Sequence, residues 1–143
     1  RMPAVPSVAV YVTADEILVI SQQISDAGRV SIEPMLRLER DSALGTVGES
    51  MLTCLDAFQD IDGMPDPDHL KKLLQFVRSR SWATFARRAI NISIEGSSMD
   101  HVTLCAARAN SRGAYTYGDP VACPRDADAI GEQVAALLKE LAG

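Results

Sequence analysis

Residues 81–95, SWATFARRAINISIE, decide the fold, because a helical period gives way to a strand period within this one stretch. Ser81 is placed to cap a helix, since its hydroxyl can accept from an orphan backbone N–H one turn on. Trp82, Phe85, Ala86 and Ala89 then recur at helical spacing. From Ala89 the period becomes two: Ile90, Ile92 and Ile94 share one face, and Asn91, Ser93 and Glu95 share the other. Trp82 is the only tryptophan, and burying a ring of that size contributes several kcal/mol at about 25 cal/mol per Å². The stretch predicts a short helix that packs its aromatics onto a sheet, with the isoleucine strand entering that sheet centrally. It carries no chemistry of its own.

Working outward, Val102 and Leu104 mark a strand that can pair antiparallel with Ile90–Glu95 across the Gly96-Ser97-Ser98 turn. Ala114–Tyr117 and Val121–Pro124 read as short extended pieces. Asp126 opens a final helix with the face Ile130, Val134, Leu137, Leu138 and Leu141. Upstream, Asp66-Pro67 reads as an N-cap and first-turn proline, followed by the stripe Leu70, Leu73, Leu74 and Val77. Asp41-Ser42 is read as the cap of an earlier helix bearing Leu44, Val47, Met51, Leu55 and Phe58. Gly45 and Gly48 near its start allow close approach of a neighbouring backbone. Val8, Val10 and Val12, with the apolar run Ile17–Ile20, form a hairpin whose second strand is covered on both faces. After the Asp26-Ala27-Gly28 turn, Val30 to Leu38 alternate. Pro34 cannot donate to a ladder, which places that part of the strand at an edge or a bulge. Strands, then helices, then strands, then a helix predict a single α+β domain over residues 1–143. Its centre is a mixed, largely antiparallel sheet with about four helices packed against it.

Composition narrows the function. The hydrophobic content of 47% against 23% charged residues suits one globular core. A net charge of −5 is a poor match to sequence-independent nucleic-acid binding and a fair one to a basic partner. Three cysteines, Cys54, Cys105 and Cys123, are odd in number and widely spaced, so they read as buried small hydrophobes in a reducing compartment. No apolar run reaches membrane-spanning length, and the first residues lack the apolar stretch of a secretory signal, so the expected location is the cytoplasm. Arg1 ahead of Met2 reads as an addition to the native start. His69 and His101 lack companions at metal-ligand spacing, and no phosphate-loop, dinucleotide or hydrolase motif occurs. The expectation is therefore no catalytic residue, no metal and no cofactor. A small enzyme with a non-local Cys/His site stays open as the alternative.

Charge is segregated along the chain. Asp56, Asp60, Asp62, Asp66 and Asp68 lie in a segment without Lys or Arg. Lys71, Lys72, Arg78, Arg80, Arg87 and Arg88 follow in a segment without an acid. Single residues have structural explanations: a helix cap for Asp66, a turn for Asp62, and a helix dipole for late basic residues. Taken together, the aspartates suit docking of a basic partner. The basic segment supports a nucleic-acid-binding module as a lesser alternative. Arg108–Tyr117, RANSRGAYTY, offers a second surface through Arg112, Tyr115 and Tyr117, residue types enriched where proteins bind proteins.

Several segments in fixed order complete the reading: the Leu44-Gly45 helix with Leu52 and Leu55; Ser81-Trp82, Phe85 and Ala89 leading to Glu95; Arg108-Ala109-Asn110 leading to Gly113 and Tyr115; and Pro124 with Ile130-Gly131 in the last helix. From about Asp41 to Leu141 the chain resembles the immunity proteins of bacterial contact-dependent growth inhibition systems. The resemblance implies a non-enzymatic protein that binds and neutralises the C-terminal toxin domain of a large secreted effector in a 1:1 complex. It also implies that the toxin is a nuclease, often a tRNase. Contact residues differ between cognate pairs, so none is carried over from the family. Direct nucleic-acid and membrane partners are not expected.

Overall fold

The computed structural model describes residues 3–142, so Arg1 lies outside it. Among the described residues there are eight strands, β1 (Ser7–Val12), β2 (Glu16–Ser25), β3 (Gly28–Glu39), β4 (Gln59–Asp60), β5 (Ile90–Glu95), β6 (His101–Ala109), β7 (Tyr115–Tyr117) and β8 (Val121–Pro124). Four helices accompany them: α1 (Leu44–Asp56), α2 (His69–Val77), the short α3 (Trp82–Arg87) and α4 (Ala127–Ala142). All eight strands join one sheet in the order β3-β2-β1-β5-β6-β7, with β4 beside β2 and β8 beside β6. Only the β2–β4 pairing is parallel. The α+β reading holds, and the isoleucine strand β5 sits centrally, between β1 and β6.

Strand alternation feeds two cores, one on each face. Val8, Val10, Ile17, Val19, Ile92, Ile94, Val102 and Leu104 pack against Val47, Met51 and Leu55 of α1 and Ile130, Val134 and Leu137 of α4. On the other face Ala9, Tyr11, Leu18 and Ile20 pack against Leu73 and Val77 of α2 and Phe85 of α3. The run Ile17–Ile20 is continuous in sequence because its residues serve both cores in turn. β3 is an edge strand, and its register against β2 shifts between Ile20 and Ser21, opposite Glu33 and Pro34. Both sites open to a proline are thus used at once.

The helix α1 lies against α4 through glycines. A Cβ on Gly48 would sit 1.8 Å from the Ala127 carbonyl oxygen, and one on Gly131 would sit 2.0 Å from that of Leu44. Close approach of backbones is what Gly48 is for, as its place in the sequence predicts.

Helix starts required two corrections. α1 begins after Ala43, which makes no side-chain cap, and Ser42 instead closes a turn onto the Glu39 carbonyl. Asp66-Pro67 forms a turn ahead of α2, whose N-cap is Asp68; the Asp66 carboxylate accepts from the Asp68 N–H at 2.9 Å. An Asx turn thus competes with the capping role for the same side chain. Leu70 of the α2 stripe is exposed, Phe58 lies beyond the end of α1, and His101 opens β6. Ser81 caps α3 as expected, accepting from Thr84 N–H at 3.2 Å. Ser81→Ala should lower stability by about 1 kcal/mol in urea denaturation, with Ser81→Asp restoring it.

Candidate protein-binding surfaces

Strand registers fix where the predicted surfaces lie. Val12, Ile17, Ile90 and Arg108 form one row across the sheet, and Val8, Ser21, Ile94 and Leu104 another. β4 pairs with Gln23 and Ile24, beyond the second row, while β7 pairs with Ala107–Ala109 beside the first. The aspartate segment and the Arg112/Tyr115/Tyr117 surface therefore belong to opposite ends of the sheet. The structure does not bring them together.

Within the acidic segment the carboxylates do different work. Asp66 forms an ion pair with Lys72 at 2.6 Å, and that hydrogen bond, with the one from Asp68 N–H, holds its carboxyl below the usual carboxylate range. Both groups are substantially exposed, so the pair adds little to stability. Asp60 accepts from the Ala4 N–H at 3.1 Å. Asp56, at the end of α1, lies 3.7 Å from Arg125. Asp26 joins this end through its carboxylate, which accepts from Gly63 N–H at 3.0 Å. Asp62 follows β4, and Asp68 caps α2 by position without a side-chain hydrogen bond. All five predicted aspartates are exposed at the surface.

At the other end Tyr115 is mainly structural. Its ring lies 6.4 Å from Tyr11, its hydroxyl donates to the Ala86 carbonyl, and burial pushes its ionisation well above the ordinary tyrosine value. Tyr117 is half exposed and donates to Asn91 Oδ1 at 2.7 Å. Arg112 sits exposed in the tight turn where Asn110 Oδ1 accepts from the N–H groups of Arg112 and Ala114. The basic segment is partly engaged internally. Lys72 holds Asp66, Arg87 donates to the Ser111 carbonyl, and Arg88 donates to the Val77 carbonyl while stacking over Phe85.

Cysteine and histidine stay apart in the clefts they line. A cleft of about 250 Å³ between β3 and α2 contains His69, Lys72, Asp66 and Glu33 and no cysteine. A groove of about 530 Å³ on β5 and β6 contains Cys105 and no histidine. Cys54 and Cys123 are buried, and burial raises both thiols above the ordinary value. Among the described residues no group of three or more metal-ligating side chains forms, and no helix is long and apolar enough to cross a membrane. The groove on β5–β6 escaped the sequence reading. Its only signal was the polar half of the Ile90–Glu95 alternation, read simply as the face opposite the isoleucines.

No protein-family model matches this chain, and no curated protein matches it. Solved structures do share its fold. A Neisseria meningitidis protein of unknown function is 11% identical with a TM-score of 0.74, covering 98% of this chain and 97% of that one. A chain of a CdiA-CT/CdiI toxin and immunity complex from Yersinia pseudotuberculosis is 14% identical with a TM-score of 0.72, covering 97% of this chain and 98% of that one. At these identities the likeness is one of fold, over nearly the whole chain.

Proposed function

We propose that this chain is the immunity protein of a contact-dependent growth inhibition system, acting in the cytoplasm by binding and neutralising the toxin domain of its cognate effector. The observation that carries the reading is the end-to-end fold match to a chain of a toxin and immunity complex, reached independently of the sequence resemblance. The acidic balance supports the immunity role over the toxin role. A nuclease must hold phosphates with Lys and Arg, and the protein that covers it gains by presenting carboxylates. The action is stoichiometric, 1:1, and uses no cofactor or catalytic side chain of this chain; the toxin is read as a nuclease, of the tRNase kind.

Co-expression with the C-terminal toxin domain of a candidate cognate effector tests the reading. A stable 1:1 complex that abolishes the toxin's nuclease activity is the expected result. Separate elution, or an uninhibited toxin, would overturn it. The acidic segment supplies the steering in this proposal. Replacing Asp60, Asp62 and Asp68 together by Lys should slow association about tenfold at low salt and less at high salt, where screening already weakens the wild type. Unchanged association kinetics would remove the segment from the interface.

A further inference from the structure

α2 and α3 cover only part of the second sheet face. α2 contacts β3, α3 contacts β6, and both meet the Tyr11, Leu18 and Ile20 region. Toward the other end, Ser93 pairs with Cys105 and Glu95 with Thr103, so these four side chains share one face, the one carrying Asn91 rather than the isoleucines. They line the 530 Å³ groove together with Tyr117 and Pro120. Ser93, Thr103 and Cys105 are half-buried, whereas Glu95 and Tyr117 are exposed. The floor is thus made of small side chains, with an aromatic wall on one side.

The charge of this groove has one sign. Its lining contains a carboxylate, Glu95, and no Lys, Arg or His. Asp119 is near enough that, after burial, it and Glu95 are what push the Cys105 thiol up. Among the described residues neither carboxylate is paired with a cation. Elsewhere Arg37 takes Glu16, Lys72 takes Asp66 and Arg125 approaches Asp56. An open sheet floor with small side chains, an aromatic wall and unpaired carboxylates has the shape and charge to receive a long basic side chain on a partner's segment.

We infer that the groove at the Glu95–Thr103 end of the β5–β6 face, walled by Tyr117 and edged by Glu95 and Asp119, is a docking surface for a Lys- or Arg-bearing segment of the partner protein. The inference rests on the proposed toxin-binding role and adds a surface distinct from the aspartate segment. Phosphate-bearing partners are disfavoured by the same two carboxylates.

The test uses the full chain and the purified cognate toxin domain. Cys105 provides a footprint that requires no substitution. Its Sγ donates to the Gly118 carbonyl at 2.9 Å, and burial, with Asp119 and Glu95, raises the thiol above its ordinary value, so alkylation is followed at mildly alkaline pH with Cys105 identified by peptide mass. The complex should protect Cys105 at least tenfold. Glu95→Arg with Asp119→Arg should weaken binding about tenfold while the melting temperature stays within the wild-type range, and Thr103→Trp should weaken it by filling the floor. A complex that forms with Cys105 as reactive as in the free chain, and with these variants bound like wild type, overturns the docking surface and leaves the immunity reading intact. Failure of the wild type to bind the toxin overturns both. Protection of Cys105 by RNA or by self-association, and not by the toxin, also overturns the inference.

Discussion

Gly48→Ala should lower the unfolding free energy by about 3 kcal/mol or more, enough to leave much of the protein unfolded at physiological temperature. An added Cβ would lie 1.8 Å from the Ala127 carbonyl oxygen, 2.6 Å from its carbon and 2.9 Å from its Cα. All three are backbone atoms, so no rotamer change relieves the clash. The α1 and α4 axes would have to part, and Val47, Met51, Ile130 and Val134 would lose contacts in the larger core. Gly131→Ala should behave similarly, because its Cβ would meet the Leu44 carbonyl at 2.0 Å from the opposite helix. Gly45→Ala is the control. Its new methyl would meet only the Asp128 carboxylate oxygen, at 2.6 Å, which can rotate away, while alanine adds about 0.5–1 kcal/mol of helix propensity. Urea denaturation at constant m-value reads all three. Wild-type stability of Gly48→Ala would mean that the helices do not pack at this distance.

What the sequence made legible follows physical range. Periods of two and 3.6 report which residues face a neighbour, so the strands around Val8–Val12 and Ile90–Glu95 and the α4 face were readable from local spacing alone. The Ser81 cap was readable because its partner is three residues away. Asp66 failed as a cap for the reason that Ser81 succeeded: a short polar side chain satisfies whichever nearby N–H the chain presents, and an Asx turn presents one two residues on. Pro34 excluded a central position and left two others open, and only the pairing of β2 with β3 showed that both apply. The sheet face chosen by each helix is non-local. Nothing within α2 or α3 says that they share the Tyr11 side, because that follows from connections across the whole sheet.

Surface function was the least legible part, for a related reason. Five aspartates close in sequence look like one negative rim, but the protein's own cations and backbone engage Asp66 with Lys72, Asp60 with the Ala4 N–H and Asp56 with Arg125. Glu95 and Asp119 are far apart in sequence and give no run of charge. The fold nevertheless puts Glu95 in the groove lining and Asp119, next to the lining residue Pro120, at its edge. A charge run in sequence is therefore a weaker guide to a docking surface than unpaired charge beside a concave, polar floor.

Phe85→Ala should cost about 3–5 kcal/mol, and Phe85→Leu much less. Phe85 is fully buried and centres the smaller core: the Trp82 ring lies 5.4 Å away, the Tyr11 ring lies 5.6 Å away at 70°, and the Arg88 guanidinium sits 5.1 Å over its face. Truncation removes one of the two edge-to-face partners of Tyr11, the other being Trp82, and leaves Arg88 without its aromatic support. α3 has only six residues and cannot persist without tertiary packing. The consequence extends past stability. Arg87 of α3 donates to the Ser111 carbonyl, and Tyr115 donates to the Ala86 carbonyl, so α3 is the anchor of the turn that presents Arg112. Phe85→Ala should therefore raise amide exchange across Asn110–Ala114 and shift the Trp82 emission to the red, even at temperatures where the larger core stays folded. Emission and exchange unchanged from wild type, with only a global loss of stability, would show that the turn is held without α3.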